Sequence, residues 1–337
     1  MKNGKIIGLG LESSCDETAA AVLSGGRDLL SNIIYSQIDI HKVYEGVVPE
    51  IASRAHLEMI NTIIAASLND ADVSFDDLDY VAATARPGLV GSLLIALQSA
   101  KAISYVQNIP LIAVNHLEAH LFASFIENRD LSFPFIGMLV SGGNTALYKV
   151  TGPGEMELLG RSTDDSIGEA YDKVSKFMNC GYPGGPVIDR MAAEATVRKN
   201  LFPRMLVRTE GYDFSYSGLK TAVINYLKAN PDADLREVAW AFQESALELL
   251  IRRVFAASQN TGIKTIVVAG GVAANSRLRQ LFKEAAGNGE KVIIPSPVLC
   301  TDNGAMVACT GSFYYSRGEF SALDADVSPR VHCRKVY

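Results

Sequence analysis

A hairpin that occurs twice is the strongest constraint on this chain. Lys5 to Leu11 is an apolar run, Glu12-Ser13-Ser14-Cys15-Asp16-Glu17-Thr18 is a polar turn, and Ala19 to Leu23 is apolar again. The pattern returns in the second half, with Phe135 to Val140 apolar, then Ser141-Gly142-Gly143-Asn144-Thr145, then Ala146 to Val150. Strand-length apolar runs around a short polar loop read as antiparallel hairpins. One such hairpin in each half marks an internal duplication. The two glycines of the second loop let backbone approach a ligand and offer N–H groups to phosphate.

The intervening segments alternate strand and helix. Glu50 to Asn69 carries an apolar stripe of Ala52, Ala55, Met59 and Ile63, flanked by Ile60, and His56 beside it is expected at the solvent edge. Val81-Ala82-Ala83 is a strand that ends at Thr84-Ala85-Arg86-Pro87-Gly88, before a helix over Gly91 to Tyr105. Strand, glycine loop and helix in repetition is the α/β rhythm. A helix from about Ile167 to Met178 carries Glu169 and Asp172, and the cluster Cys180 to Pro186 breaks it before Ile188-Asp189-Arg190. Glycines beside Asp172 and Asp189 suit a loop lying on a ribose or phosphate, although a plain helix–helix connection fits the segment as well. An irregular aromatic stretch over 197–216 precedes helices at Leu219–Ala229 and Leu235–Gln259. Thr265 to Ala269 is a buried parallel strand running into Gly270-Gly271 and Asn275, with a helix starting near Ser276. That arrangement makes an anion or nucleotide site. It has neither the GxGxxG of a dinucleotide fold nor the GK[ST] of a P-loop.

His116-Leu117-Glu118-Ala119-His120 follows the apolar run Ile109 to Val114, with Asn115 as the expected N-cap. Histidines four apart project from one helix face and can grip one metal ion. Asp302, in Cys300-Thr301-Asp302-Asn303-Gly304-Ala305, is the best third ligand, because it opens another helix after the strand-like Val292-Ile293-Ile294. A structural pair is the ordinary reading of such histidines, but this pair sits at a strand-to-helix corner where α/β sites collect. A zincin protease would need Glu directly after the first His, where Leu117 stands. Glu118 lies about 200° around the helix and points away from the ion.

With 337 residues, 48% hydrophobic and 20% charged, the chain has the composition of a globular protein of two domains. No signal peptide or bilayer-spanning run is visible. Five cysteines without CxxC spacing suggest reduced thiols and a cytoplasmic protein. A net charge of −6 argues against coating nucleic acid unaided. One local exception gathers Arg198, Lys199, Arg204, Arg208 and Lys220 against Glu210 and Asp213, a solvated loop or an RNA-facing patch.

Ten co-linear segments resemble one family. They are GLESSCDET (Gly10 to Thr18), GVVPEIASRAH (Gly46 to His56), RPGLVGSLL (Arg86 to Leu94), VNHLEAH (Val114 to His120) and LVSGGNT (Leu139 to Thr145). The others are GEAYDKVSK (Gly168 to Lys176), GYPGGPVID (Gly181 to Asp189), FSYSGLKTAV (Phe214 to Val223), GGVAANSRLR (Gly270 to Arg279) and LCTDNGAM (Leu299 to Met306). Together they resemble the bacterial tRNA threonylcarbamoyladenosine transferases, once called sialoglycoprotein endopeptidases. The resemblance implies an α/β fold of the two-lobed actin/Hsp70/sugar-kinase (ASKHA) type, with duplicated mixed-sheet domains and an interlobe cleft. On that plan residues 1–115 form the N-terminal lobe and 116–337 the C-terminal lobe. A helical insertion falls at about 164–230, and the last helix packs back on the N-terminal lobe.

The implied reaction moves a threonylcarbamoyl group from threonylcarbamoyl-adenylate to the exocyclic amine of the adenosine 3′ of the anticodon, releasing AMP. By the same resemblance His116, His120 and Asp302 hold one divalent ion, iron or zinc. Leu139, Val140, Ser141, Gly142, Gly143, Asp172, Gly185, Asp189 and Asn275 contact the substrate, and Asp16 and Glu17 are acidic residues of the catalytic cleft. The implied partners are tRNA, a companion subunit of the same fold and an ATPase. This chain departs from the family at Asn144, where His is usual, and at Arg86 and Ala119, where Gly is usual. A small-molecule kinase of the same fold, a metalloprotease and a non-catalytic scaffold are the rival classes.

Overall fold

The computed structural model describes residues 4–202, 211–287 and 289–330. Its strands are β1 (Ile7–Glu12), β2 (Glu17–Ser24), β3 (Asp28–Ser36), β4 (Tyr80–Arg86), β5 (Leu111–Asn115), β6 (Phe135–Val140), β7 (Thr145–Gly152), β8 (Glu155–Arg161), β9 (Thr265–Ala269) and β10 (Lys291–Ile293). They form two five-stranded sheets, β3-β2-β1-β4-β5 and β10-β9-β6-β7-β8. Within each five the order is third, second, first, fourth, fifth. The first three strands pair antiparallel and the last two join in parallel. The duplicated hairpin of the sequence is thus a duplicated sheet.

The longer helices are α1 (Pro49–Asp70), α2 (Val90–Gln107), α3 (His116–Phe122), α4 (Ile167–Phe177), α5 (Gly184–Ala193), α6 (Ser217–Ala229), α7 (Leu235–Thr261), α8 (Ser276–Ala285) and α9 (Gly304–Ser316). Strand β1 shows how they cover the first sheet. Its odd positions, Ile7, Leu9 and Leu11, join a core with Ile60, Ile63 and Leu68 of α1 and Ala96, Leu97 and Ala100 of α2. On its other face stand two glycines, of which Gly8 lies against the Tyr80 ring and Gly10 against α9, where a Cβ would lie 2.3 Å from Ala308 N and from Gly304 O. The period of two in the strand therefore assigns one face to large side chains and the other to a close helix contact.

The chain forms two compact units, Met1–Leu131 with Thr301–Tyr337, and Ser132–Cys300. The first extends beyond the expected boundary at 115/116 and includes α3 and α9. The reason is aromatic packing, because the Phe313 ring sits edge-on to Phe122 and Phe125 at 5.1 and 4.9 Å. In the second unit β6 and β7 pack Ile136, Met138 and Leu147 against Tyr171 and Val174 of α4 and Phe242, Leu247 and Leu250 of α7. Phe202, Phe214 and Tyr216, from the irregular aromatic stretch, are buried in that core. Arg204, Arg208 and Glu210 of the charged cluster lie outside the described residues, while Lys220 is paired to Asp165 at 2.6 Å.

One expectation is overturned. His56 is fully buried, because its side of α1 meets the β2–β3 hairpin rather than solvent. Among the described residues no helix is long and apolar enough to cross a membrane. Cys15, Cys180, Cys300 and Cys309 are free thiols.

Candidate functional site

Strand β5 delivers the chain to α3, and Asn115 caps that helix by accepting a hydrogen bond from Leu117 N at 3.0 Å. The cap fixes the first turn, so His116 and His120 rise from one face with ring centroids 4.5 Å apart. Asp302 reaches the same point from the entry to α9, whose own cap is Asn303. Its Oδ1 is 3.6 Å from His116 Nε2 and 3.0 Å from His120 Nε2. The three ligand atoms lie within 4.8 Å of one another. Tetrahedral zinc with bonds near 2.1 Å separates its ligands by about 3.4 Å, which these spacings bracket.

His120 supplies the sharper test of fit. Both its ring nitrogens are buried and neither makes a hydrogen bond. Nε2 is close to Asp302 but not aligned with it, as expected where lone pairs converge on a shared ion. Burial alone would raise the Asp302 carboxyl, but the imidazoles of His116 and His120 hold it down to about 2. An ionised carboxylate with two imidazoles suits zinc or ferrous iron.

Glu12, at the end of β1, supports the cluster, a role that no local pattern marked. It is fully buried, and its Oε2 lies 3.1 Å from His116 Nδ1 and accepts from Thr84 Oγ1 at 2.5 Å. Its other oxygen accepts from Ser14 N at 2.6 Å. Carboxylate, histidine and ligand position in line is the usual outer support of a metal site, since it fixes the tautomer that presents Nε2. Burial opposes a charge on Glu12, yet His116 outweighs it and the carboxyl stays below its ordinary range. Burial likewise opposes protonation of His116, but Asp302 and Glu12 carry it up to about 9 when no ion competes. Glu118 is buried on another side of α3, where it accepts from Tyr314 Oη at 2.8 Å. It has no part in the cluster.

The turn Ser13–Asp16 joins β1 to β2 beside these ligands. Burial, followed by the carboxylates of Asp302 and Asp16, pushes Glu17 up to about 10, with Ser36 Oγ donating to it at 3.2 Å. Burial together with Asp16 also pushes the Cys15 thiol up. It is a thiol, not a nucleophile.

In the second unit Leu139 and Val140 end β6 as buried residues, and Ser141, Gly142 and Gly143 form the turn into β7. Ser141 N donates to Asn144 O at 2.8 Å, and Asn144 N returns the bond to Ser141 Oγ at 3.1 Å. Asn144 thus closes this turn through its backbone, which any residue there would do. The turn lies on the first turn of α4, where Ser166 donates to Gly142 O and a Cβ on Gly168 would meet Ser141 O at 2.5 Å. Asp172 accepts from Gly184 N at 2.7 Å at the start of α5, next to the open Gly185. Asp189 accepts from Ser276 N and Oγ at 2.9 and 3.0 Å. Asn275 caps α8 by accepting from Leu278 N, while its amide donates to buried Gln243 at 2.8 Å. Asp189 and Asn275 therefore meet at one helix N-terminus. Gln243 went unnoticed in the sequence because nothing local distinguishes it. Arg86 stands exposed at the end of β4, and Ala119 is buried within α3.

Comparison with known proteins gives one answer along the chain. The family described as TsaD, tRNA N6-adenosine threonylcarbamoyltransferase, matches residues 28–309. A protein of that name from Clostridioides difficile is 46% identical over 331 residues, covering 97% of this chain and 98% of the relative. One from Treponema denticola is 49% identical over 329 residues, covering 96% of each. Among solved structures, HypF of T. kodakarensis aligns with TM-score 0.65 at 14% identity over 93% of this chain and 48% of its own. Component A of the Acidaminococcus fermentans (R)-2-hydroxyglutaryl-CoA dehydratase aligns with TM-score 0.58 at 14% identity over 93% of this chain and 99% of its own. These two speak for the ASKHA fold alone. The sequence matches go further, and the chain belongs to the tRNA N6-adenosine threonylcarbamoyltransferase family.

Proposed function

We propose that this chain transfers a threonylcarbamoyl group from threonylcarbamoyl-adenylate to the exocyclic amine of the adenosine 3′ of the anticodon, releasing AMP. The observation that carries the reading is the buried His116–His120–Asp302 cluster with Glu12 behind it, in a chain matching this family over nearly its whole length. A divalent iron or zinc ion held there would bind the threonylcarbamoyl group and polarise its carbonyl as a Lewis acid.

The chain's own residues position and neutralise. An adenine amine is a weak nucleophile because its lone pair is delocalised into the ring, so activation resides in the mixed anhydride. The amine nitrogen attacks the carbamoyl carbon, the bond to the phosphate oxygen breaks, and one amine proton must be taken up. Asp16 is the acceptor in this reading. Burial and the neighbouring carboxylates of Asp302 and Asp16 raise Glu17 and favour its protonated form, which makes Asp16 the better acceptor of the two. In the second unit the Gly142 and Gly143 N–H groups would take the phosphate at the end of Leu139-Val140-Ser141. Asp172 and Gly185 would meet the ribose, with Asp189 and Asn275 at the nucleoside. Such placement and charge stabilisation account for most of the barrier lowering in a transfer of this kind.

A surface of net charge −6 attracts a polyanion weakly. As the family resemblance also implies, turnover on tRNA in this reading draws on a companion subunit of the same fold and an ATPase, in the cytoplasm. The test is mass analysis of nucleosides from tRNA incubated with the adenylate and the chain, with and without these partners. The modified adenosine should form, and His116→Ala or His120→Ala should abolish it while circular dichroism keeps the fold. Full transfer by a metal-free double variant would overturn the reading.

A further inference from the structure

The turn that carries Asp16 and Glu17 is held from outside by three consecutive carbonyls. Leu89 N donates to Ser14 O at 2.9 Å, His56 Nε2 to Cys15 O at 3.0 Å, and Gln37 N to Asp16 O at 2.9 Å. His56 is the one side chain of the three, and it lies at the end of a buried polar chain. Val48 N donates to His41 Nδ1 at 3.3 Å, which leaves His41 Nε2–H to donate to Gln37 Oε1 at 3.1 Å. The Gln37 amide then faces His56 Nδ1 at 3.2 Å, and Thr18 Oγ1 donates to the same nitrogen at 2.7 Å. Because the Cys15 carbonyl can only accept, the His56 proton is on Nε2 and directed at it, and Nδ1 accepts from the Thr18 hydroxyl. Thr18, Gln37, His41 and His56 are all fully buried. A complete buried network of this kind specifies one geometry, since any slip strands a polar group in apolar surroundings.

The same turn is tied to the metal cluster on its other side. Ser14 N donates to Glu12 and Ser14 Oγ lies 3.2 Å from His116 Nδ1. Gly88 leaves no slack, because a Cβ there would meet Ser14 O at 2.7 Å. We propose that His56, oriented by Thr18, Gln37 and His41, is a positioning residue that sets where Asp16 stands relative to the ligands of the ion. This role rests on the reading of Asp16 as proton acceptor. It predicts a loss in the chemical step without loss of substrate binding, because His56 touches the turn and no substrate contact.

The test compares full-length wild type, His56→Leu, His56→Gln and Thr18→Val in the assembly in which the chain turns over. Hydrogen exchange is followed by mass spectrometry on the same proteins. His56→Leu should lower kcat at least about ten-fold with KM for adenylate and tRNA within about two-fold, and should speed exchange in the peptide spanning Ser13–Thr18 alone. His56→Gln, which keeps a donor for Cys15 O, should recover kcat to within about three-fold of wild type. Thr18→Val, which leaves the donor but removes one restraint on its ring, should fall between. Unchanged exchange at Ser13–Thr18, equal failure of the Gln and Leu variants, or uniformly faster exchange across both units would each overturn the role. The exchange arm needs no turnover, so a wild type without transferase activity would sink the functional reading while leaving the positioning role decided separately.

Discussion

Glu12 Oε2 lies 3.1 Å from His116 Nδ1, joining the first strand to a helix 104 residues later. That contact fixes which ring nitrogen of His116 is left to bind an ion. Glu12→Gln should therefore weaken zinc or ferrous binding by about 10–100-fold with the three ligands intact. Competition with a chelator of known affinity measures it, and unchanged affinity would remove Glu12 from the site.

The geometry that suits transfer excludes peptide hydrolysis. Leu117 occupies the position of a zincin base, and Glu118 is committed to Tyr314 at 2.8 Å. The metal-loaded protein should cleave no peptide substrate above the rate of its His120→Ala variant. Specific proteolysis that disappears with His120 would reverse the ranking of the two chemistries.

Gly168 tests the substrate turn of the second unit. Its missing side chain admits Ser141 O, which a Cβ would meet at 2.5 Å. Gly168→Ala should displace the turn, costing about 1–3 kcal/mol of stability. A shift of this size at a positioning element also costs on the order of ten-fold or more in adenylate affinity. Calorimetry with a non-hydrolysable adenylate analogue reads the second effect, and wild-type affinity would show that the turn does not bind the phosphate.

Glu17 gives a pH dependence of defined sign. Its carboxyl stands at about 10 in the folded chain against about 4.5 when exposed, chiefly through burial and the neighbouring carboxylates of Asp302 and Asp16. The folded state thus binds this proton more tightly, and the stability it contributes is full below about 4.5 and is lost as pH rises toward about 10. Glu17→Gln has no proton to lose. In ion-free protein its urea midpoint should gain on wild type steadily from pH 5 to 10, and parallel curves would show an ionised Glu17.

Much of this was written locally. The odd–even alternation of Ile7, Leu9 and Leu11 with glycines set one strand face for a core and the other for close contact. Asn115 and Asn275 announced the helix starts that they cap, and the four-residue spacing of His116 and His120 put both on one face before any tertiary contact was known. Those features depend on neighbours within a turn of helix or a pair of strands, so a linear reading reaches them. Only the tertiary structure decided that Glu12 backs His116 and that His56 is buried against Cys15 O. Each is a meeting of residues far apart in sequence, and so is the contact of α9 with the first two strands, where Gly10 and Gly304 show their value only when backbone from elsewhere arrives within 2.5 Å of a would-be Cβ. Burial and partnership of a polar side chain are properties of the assembled core, and no local pattern encodes them.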